Sequence, residues 1–466
     1  MNKHIPVLAA AVAAASLFSA GVQAGGFKIN EQSASGAGRA FAGSAAIAKD
    51  ASVVFFNPAG MSRLEQSQAS FGFTFLNLEG EFKNGELINP AGASSNTAEA
   101  GVYNDGGDFM PDKVIPFGYY VRKLDEKMAV GLGIFAPFGT STDYAQGSLA
   151  SGFADETMLS AIDIQPTFSY QLTDTFSVGA GLDIVYAKGV LSKELDLVPY
   201  GAVADPKYKG YENKFEVSGD DIAFGWNFGL MWDVTPATTL GLAYRSEIEF
   251  ELEGDSEFKE STGVKVFNKE TFNVDTIPFV PKQASRVPLT GPQSATLSVA
   301  HQLNDRVLLL AGATWTDWSS FKYFDIIGTE PGVISAVGGL GENYIGHIVE
   351  KWRDTVSVSV GAEYLLNQNW TLRAGYAFDE SPVKEMYRTA RVPDNDRQWL
   401  TAGATYNLNP RWSFDAALAY LFIGTSKLNE QNRGLDDQPI ADKPDRLTGE
   451  YDINALGISF QANYRM

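Results

Sequence analysis

The chain is dominated by long segments in which apolar and small polar residues alternate. From Phe176 to Tyr186 every second side chain is apolar, and the residues between them up to Asp183 are Ser, Gly and Asp. The same alternation recurs in segments 356–364, 412–420 and 456–466. Successive side chains of a β-strand point to opposite faces, so these segments are half-apolar strands. Many run for about ten residues, longer than the ~5–6 residues of most strands, and ten tilted residues suit a bilayer.

Short and long connections alternate between these strands. The short ones lie near 124–126, 173–174, 235–237, 304–305, 367–368 and 409–410, and the long polar ones near 82–111, 141–157, 190–213, 252–289, 328–343, 380–395 and 423–448. An even number of antiparallel strands, with short turns at one rim and long loops at the other, is typical of outer-membrane barrels. A soluble β-sandwich would not sort its loops in this way. The pattern therefore predicts an all-β transmembrane barrel of fourteen antiparallel strands over 67–466, with both chain ends at the short-turn, periplasmic rim.

The first 24 residues have the layout of a signal peptide. A short polar start is followed by an apolar, alanine-rich segment at 5–18 and by small residues up to Ala24. Cleavage is expected between Ala24 and Gly25, so the mature chain is exported. Beyond Gly25 no apolar run is long enough for a transmembrane helix.

Residues 25–66 do not alternate and contain many small side chains. A barrel of fourteen strands is too wide for its own side chains to fill. We therefore expect residues 25–66, called the hatch from here on, to fold inside the barrel as a plug. The stretch VVFFNPAGM at 53–61 fits this interpretation, because four apolar residues that lead into an Asn-Pro turn need a cover.

Composition and charge disfavour several other classes of protein. The 466 residues contain no cysteine, which argues against a small disulfide-stapled secreted domain. A formal net charge of -20 disfavours nucleic acid as a partner. The isolated histidines form neither a catalytic triad nor a metal-ligand spacing. The sequence thus predicts no enzyme activity, no cofactor and no metal.

One strand is interrupted by residues that a regular strand avoids. Pro137, Phe138 and Gly139 lie inside the otherwise regular segment 131–144. Proline cannot donate a hydrogen bond to a β-ladder, and glycine often marks a bulge. The strand either ends at Ala136 or kinks inward and leaves a gap in the barrel wall, which would let an apolar molecule leave sideways into lipid.

Two lysines are candidate anchors for an anionic ligand. Lys193 follows the fifth predicted strand, and Lys351 opens the tenth. Lysines of this kind are more often solvated loop or rim charges. Their functional interpretation is that they hold a carboxylate at the mouth of an apolar pocket, where charge-assisted hydrogen bonds are strong.

The chain resembles the FadL-type long-chain fatty acid transporters (OMPP1/FadL/TodX-like) of the outer membrane. The resemblance begins with GGFKINEQSASGAGRAFAGSAAIAKDASVVFFNPAGM at 25–61, in which Asn57-Pro58-Ala59 is the most recognisable mark. It continues through APFGTSTDY, AFGWNFGLMWDV, LAYRSEIEF, NWTLRAGYAFDESPV and RVPDNDRQWLTAGATY, and it covers essentially the whole mature chain.

This resemblance implies a plugged fourteen-stranded barrel with an internal apolar pocket and a lateral exit beside a kinked third strand. It implies that Phe27 contacts the bound chain and that Gly139 is the kink glycine. Lys193 matches an arginine of the family and Lys351 matches a lysine, both of them binding the carboxylate. The substitution by Lys193 loses the bidentate geometry of a guanidinium. A second departure is the terminal Met466, where many outer-membrane barrels end in an aromatic residue.

The expected function is passive outer-membrane transport of long-chain fatty acids or similar amphiphiles. Uptake of aromatic hydrocarbons or other apolar compounds is the near alternative, and an open diffusion porin is a further one. The expected surroundings are outer-membrane lipid and lipopolysaccharide, with the protein present as a monomer.

Overall fold

A computed structural model describes residues 25–88, 94–95, 106–145, 147–196, 212–259, 264–268, 271, 273–277, 282–332, 334–335, 340–341, 343–440 and 446–466. The segment 1–24, predicted to be a signal peptide, lies outside the described residues. No helix within the described ranges is long and apolar enough to cross a membrane.

Fourteen antiparallel strands form one closed barrel. In chain order they are β1 (Gln68–Ile88), β2 (Lys113–Lys123), β3 (Met128–Phe135, continued by Gly139–Asp143), β4 (Glu156–Thr173), β5 (Phe176–Asp196), β6 (Glu212–Thr235), β7 (Thr238–Arg245 and Ile248–Phe258), β8 (Gln283–Gly291 and Ser294–Asn304), β9 (Val307–Thr316 and Tyr323–Gly328), β10 (Tyr344–Val349 and Thr355–Leu365), β11 (Trp370–Asp379), β12 (Arg397–Asn407), β13 (Trp412–Gln431) and β14 (Arg446–Arg465). Each strand pairs with the next, and β1 closes the barrel by pairing with β14 from Gln68↔Arg465 to Ile88↔Arg446. The predicted fold is confirmed.

The outer surface of the barrel carries an apolar belt. Along β6, Ile222, Phe224 and Trp226 are 52–64% exposed, whereas Ala223 and Asn227 between and beside them are buried. The alternation that predicted the strand thus places large apolar side chains outside and small or polar ones inside. Such a surface is suited to lipid rather than to water.

Several strands continue into segments that the sequence predicts to be loops. β5 and β6 stay paired as far as Asp196↔Glu212, although segment 190–213 was predicted to be a loop. Residues 252–258 and 283–289 likewise continue β7 and β8. The predicted boundaries were placed where apolar residues stop, but ladder hydrogen bonds continue beyond the apolar belt because backbone pairing does not require apolar side chains.

The hatch lies inside the barrel and is built from short helical turns. These are α1 (Ala34–Ala37), α2 (Val53–Phe56) and the 3-10 turns Ser44–Ala46 and Pro58–Arg63. Ser33 caps α1 by accepting a hydrogen bond from the backbone N–H of Gly36. The apolar run that precedes the Asn-Pro turn forms α2, and its Val53 and Val54 are buried in a cluster with Phe135 and other inward side chains of the wall.

Wall glycines let the hatch approach the barrel closely. A Cβ at Gly229 would lie 1.9 Å from Oδ1 of Asn57, and one at Gly375 would lie 2.2 Å from the carbonyl carbon of Arg39. Only glycine fits at such contacts, so the small inward residues of the strands are part of the interface with the hatch.

Candidate functional site

Phe27 lies at the centre of an aromatic cage in the barrel lumen. The centroid of its ring is 4.7 Å from that of Trp318, 5.5 Å from Phe321, 5.7 Å from Trp352 and 5.9 Å from Phe138. Phe27 is only 1% exposed. These separations are those of favourable edge-to-face and tilted aromatic pairs. The hatch is therefore docked to the wall through an apolar contact at its N-terminal end.

All four neighbours of Phe27 come from places where wall strands are interrupted. Phe138 lies in the break of β3, Trp318 and Phe321 in the break of β9, and Trp352 in the break of β10. A regular strand would constrain these side chains to the alternation of the wall. Interruption frees them to converge on one point in the lumen.

The kink residues are joined to the hatch by backbone hydrogen bonds. The N–H of Ile29 donates to the carbonyl oxygen of Pro137 at 2.9 Å, and the N–H of Gly139 donates to that of Phe27 at 2.8 Å. Phe138 points into the lumen, where its ring lies beside Phe27 and, at 6.5 Å, beside Phe250. The hatch thus acts as a short extra strand at the place where β3 is broken.

The barrel wall has an unpaired stretch beside this kink. Pairing between β2 and β3 ends at Phe117↔Phe135. The second half of β3 pairs with β4, and on its other side the N–H groups of Gly139 and Asp143 donate to the carbonyl oxygens of Phe27 and Phe109. Residues 113–116 of β2 pair with β1, and in the described part of the chain no residue of β3 pairs with them. The backbone ladder between β2 and β3 is therefore open beyond Phe135, on the side of the long loops.

An apolar zone continues from the cage towards the long-loop rim. Inward side chains of β4 to β9 form one buried cluster with Phe27, among them Leu159, Leu191, Val217, Leu252, Val287 and Phe324. A small cavity of about 30 Å³ lies among these residues. Thr140 and Thr157 apart, its lining is apolar, and its volume has room for only part of a hydrocarbon chain.

A second cavity, of about 70 Å³, adjoins the first and is lined by basic groups; it is called the basic mouth below. It shares Leu191 and Val217 with the apolar cavity. Its polar lining includes Lys193, His347, Arg388, Arg391, Glu430 and Arg433. Lys193 lies within β5, not after it as predicted. The apolar zone therefore ends at a group of cations.

Arg391 is the most deeply buried cation of the basic mouth. Its guanidinium donates to the carbonyl oxygen of Ser192 at 3.0 Å and to Oγ1 of Thr157 at 3.1 Å, while its Nε is buried without a partner in the described residues. A buried, unbonded donor costs free energy unless a ligand or water satisfies it. This makes Arg391 a candidate to bind an anionic headgroup.

Lys351 lies outside the lining of the basic mouth and is paired with a residue of the protein itself. Its Nζ donates to Oδ2 of Asp437, and it lies 5.8 Å and 5.7 Å from the ring centroids of Tyr323 and Tyr387. The hydrogen bond to Asp437 raises the pKa of Lys351, and the same contact lowers the pKa of Asp437. Tyr387 and His347, both near Lys351, line the basic mouth. The structure thus places Lys193 at the cavity and Lys351 at its edge.

Glu350 supports the cage from behind. It accepts a hydrogen bond from Nε1 of Trp352 at 2.7 Å and another from Oγ1 of Thr389 at 2.9 Å. Burial raises the pKa of Glu350, which lies in the break of β10, to about 8. These bonds fix the orientation of the Trp352 indole against Phe27.

The Asn57-Pro58-Ala59 motif joins the C-terminal half of the hatch to the barrel wall. Asn57 caps the 3-10 turn by accepting from the N–H of Ala59, and its Nδ2 donates to the carbonyl oxygens of Ala45 at 2.6 Å and Leu230 at 2.9 Å. The motif therefore has a structural role, since one amide side chain joins two hatch segments and β6.

Ion pairs to the buried carboxylate of Glu363 hold a further part of the hatch. Glu363 of β10 pairs with Lys49 and, at 3.3 Å, with Arg39, both from the hatch; Arg373 of β11 also pairs with Glu363, at 3.1 Å. Between the hatch and strands β6 to β12 lies a cavity of about 120 Å³ whose polar lining is rich in Ser and Thr hydroxyls. That volume is large enough for several waters, and its lining offers them partners.

Sequence reasoning missed Trp318, Trp352 and Arg391. The interruption of β9 and β10 was not recognised, because short breaks without proline leave little trace in an alternating pattern. Arg391 lies in a segment that was quoted for its resemblance and not for its charge. No group of His, Asp or Glu residues in the described ranges has the arrangement of a metal site.

A closed barrel with an apolar outer belt, an internal plug and an apolar internal cavity defines a class of protein: an outer-membrane barrel that handles hydrophobic small molecules. The family model described as "Outer membrane protein transport protein (OMPP1/FadL/TodX)" matches residues 15–466. The chain belongs to this family. It is an outer-membrane transporter of hydrophobic compounds and not an enzyme.

Individual relatives agree with this assignment. The chain is 31% identical to Outer membrane protein P1 of Haemophilus influenzae, with 87% of each chain covered, and 25% identical to the Long-chain fatty acid transport protein of Escherichia coli O157:H7, with 92% of this chain and 95% of that one covered. The crystal structure of a Pseudomonas aeruginosa FadL homologue superposes with a TM-score of 0.80 at 28% identity, covering 95% of this chain and 100% of that one. The Ralstonia pickettii toluene transporter TbuX, at 20% identity and a TM-score of 0.59, covers 91% and 96% respectively and shares the fold.

Proposed function

We propose that the compounds carried by this barrel are long-chain fatty acids. The observation that carries this proposal is the continuity of an apolar zone with a basic mouth, through the shared Leu191 and Val217. A fatty acid has the same two parts, an alkyl chain and a carboxylate. The fatty acid transport function of the Escherichia coli relative supports the same choice.

In this proposal the carboxylate binds at Lys193 and Arg391, and the alkyl chain extends along the apolar cluster towards Phe27. Burial of the chain contributes about 0.8 kcal/mol per methylene, which makes capture favourable without an energy source. Charge-assisted hydrogen bonds at the mouth fix the orientation of the ligand. Lys351, at the edge of the mouth, is the second carboxylate contact along the path.

Release proceeds through the hatch contact and the kink. A chain that reaches the cage competes with Phe27 for Phe138, Trp318 and Trp352. Displacement of Phe27 breaks its hydrogen bond with Gly139 and moves the hatch towards the hydroxyl-lined cavity. The unpaired stretch between β2 and β3 at Pro137–Gly139 is then the lateral exit into lipid.

Within the membrane the short-turn rim faces the periplasm and the long loops face the outside. The hatch at 25–66 follows a cleaved signal peptide at 1–24, both chain ends are periplasmic, and the barrel acts as a monomer. The apolar belt contacts outer-membrane lipid, and the polar strand extensions above it contact lipopolysaccharide.

Aromatic hydrocarbons are the second candidate class of compound. The aromatic cage around Phe27 favours them, and the TbuX structure with the same fold belongs to a toluene transporter. An uncharged aromatic compound makes no use of the basic mouth, which is the reason to prefer a carboxylate.

Binding of palmitic acid, its methyl ester and toluene to the purified barrel tests the proposal. We expect palmitate to bind at least about tenfold more tightly than the ester, since hydrogen bonds to charged groups contribute about 1.5–3 kcal/mol. Lys193→Met, which keeps the apolar stem and removes the charge, should narrow that ratio, and Lys188→Met on the same strand is the matched control. Equal affinity for acid and ester would contradict a carboxylate site, and preferential binding of toluene would favour the second class.

A further inference from the structure

Lys351 already holds a carboxylate, and that carboxylate belongs to the protein. Asp437 lies in the connection between β13 and β14, 86 residues along the chain, and its Oδ2 accepts the hydrogen bond from Lys351 Nζ. The ammonium group is flanked by the rings of Tyr323 and Tyr387. A cation positioned at the edge of the basic mouth is thus neutralised internally.

The backbone of both partners has a positive φ. Lys351 has φ +42° and Asp437 has φ +62°. The side chains of the pair are 29% and 23% exposed, and an ion pair with that much solvent access adds little stability. Positive φ is common for an aspartate in a turn but rare for a lysine, so strain at Lys351 beside a weakly stabilising contact is a reason to look for a functional role.

The second carboxylate oxygen of Asp437 makes no hydrogen bond in the described part of the chain. Its Oδ1 is buried without a hydrogen bond and lies 3.7 Å from Nε2 of His347, which also lacks a partner in the described residues. His347 is fixed by its Nδ1, which is 2.6 Å from Oδ1 of Asp325. Asp437 therefore bonds to Lys351 through Oδ2, while its Oδ1 faces His347 at a distance that allows an ion pair but not a hydrogen bond.

The segment that carries Asp437 also borders the basic mouth. Asn432 and Arg433 line that cavity, and Nη1 of Arg433 donates to the backbone oxygen of Asp437 at 2.9 Å. The Arg433 guanidinium lies 5.4 Å from the ring centroid of Tyr387, which is itself part of the lining. Displacement of Asp437 from Lys351 by a ligand would thus disturb residues that line the basic mouth.

We propose that Asp437 is a specificity-determining residue that occupies Lys351 in place of the ligand's carboxylate. This inference rests on the proposed fatty acid function. An anionic ligand exchanges with Asp437 and takes over the hydrogen bond from Nζ of Lys351. An uncharged ligand cannot replace the carboxylate of Asp437 at Lys351, so the internal ion pair stays intact when such a ligand binds.

The test is the replacement Asp437→Asn in the intact barrel, with palmitate and its methyl ester as probes. Removing the internal competitor raises the fraction of protein in which Lys351 can accept a ligand, so the apparent dissociation constant for palmitate should fall about three- to tenfold. The ester has no charge for Lys351, and its affinity should stay within about twofold.

Asp436→Asn is the matched control, because the carboxylate of Asp436 accepts from the backbone N–H of Gln438 and its contacts do not include a lysine in the described residues. A double-mutant cycle adds a second control, since Asp437→Asn in a Lys351→Met background should leave palmitate affinity unchanged.

Three results would overturn the inference while leaving the proposed function intact. They are unchanged palmitate affinity in Asp437→Asn, equal tightening for acid and ester, and equal tightening in the Lys351→Met background. Failure of the unmodified barrel to bind palmitate would instead overturn the proposed function, and the inference with it.

Discussion

Phe27 contacts the barrel wall through both its side chain and its backbone. Its side chain fills the aromatic cage, while its backbone carbonyl accepts the N–H of the kink residue Gly139. The side chain that would sense a ligand and the backbone that closes the kink therefore belong to the same residue. Loss of the ring should loosen the kink, although the two are separate contacts.

We predict that Phe27→Ala speeds hydrogen exchange at the amides of Ile29 and Gly139. Truncating a buried phenylalanine costs about 3–5 kcal/mol, and this loss falls on the local contact between hatch and kink. Mass-spectrometric or NMR exchange would measure it. The amide of Ala37, which donates to the Ser33 carbonyl within α1, is the internal control. Equal acceleration at Ala37 would indicate that the whole hatch has come loose and would contradict the local coupling.

At the scale of elements, the interruption of β3 is a mismatch in residue number. Between the pairs Phe135↔Asp163 and Gly139↔Ser160, β3 has residues 136–138 and β4 has only 161–162. One extra residue leaves the ladder locally disrupted and bends the strand. The break is therefore a β-bulge that contains a proline. The extra residue and the proline are two separate causes of the interrupted ladder.

Deletion of Pro137 should abolish uptake while the barrel still folds. The shortened β3 would match β4 residue for residue, so it could also continue its pairing with β2 and close the open stretch of wall. Uptake of labelled fatty acid by whole cells and heat-modifiable migration in gels report the two properties. Pro137→Ala keeps the residue number and hence the bulge, and it should retain uptake. Full uptake by the deletion variant would refute a lateral exit at this place.

The elements themselves were largely predictable, whereas the site was so only in part. Alternation encodes the side-chain period of a strand directly, so β5, β10 and β14 follow from local sequence. The cage does not, because Trp318 and Trp352 come together with Phe27 only when the barrel closes. Phe27 was found through the family resemblance alone. The partner of Lys351 was out of reach for the same reason, since Asp437 lies on another loop and no local pattern links the two.

At the scale of the whole molecule, the hatch is held by charge as well as by shape. Glu363 is 2% exposed and meets two cations of the hatch and one of the wall. Removing one partner of a buried ionic group costs about 3–5 kcal/mol, because the remaining charges lose their compensation. This carboxylate is consequently a main anchor of the plug.

We predict that the unmodified barrel passes almost no steady ion current in planar bilayers and that Glu363→Gln increases it measurably. Without the negative charge, Arg39, Lys49 and Arg373 repel one another, and the hatch dwells longer in loosened states. Glu450→Gln, on the outer part of β14, is the control and should behave like the unmodified barrel. A large steady current through the unmodified protein would instead favour an open porin.

The interruptions of β3, β9 and β10 have a consequence for how such transporters diverge. Each is a few residues long, and together they supply the ring of aromatic contacts without contributing to the lipid-facing belt. Substrate range can therefore drift through exchanges in three brief segments while the bilayer-facing surface and the order of strands are inherited unchanged. Relatives that carry chemically different compounds are expected to differ most at these three interruptions. Exchanging the interrupted segments between two relatives should therefore transfer substrate selectivity.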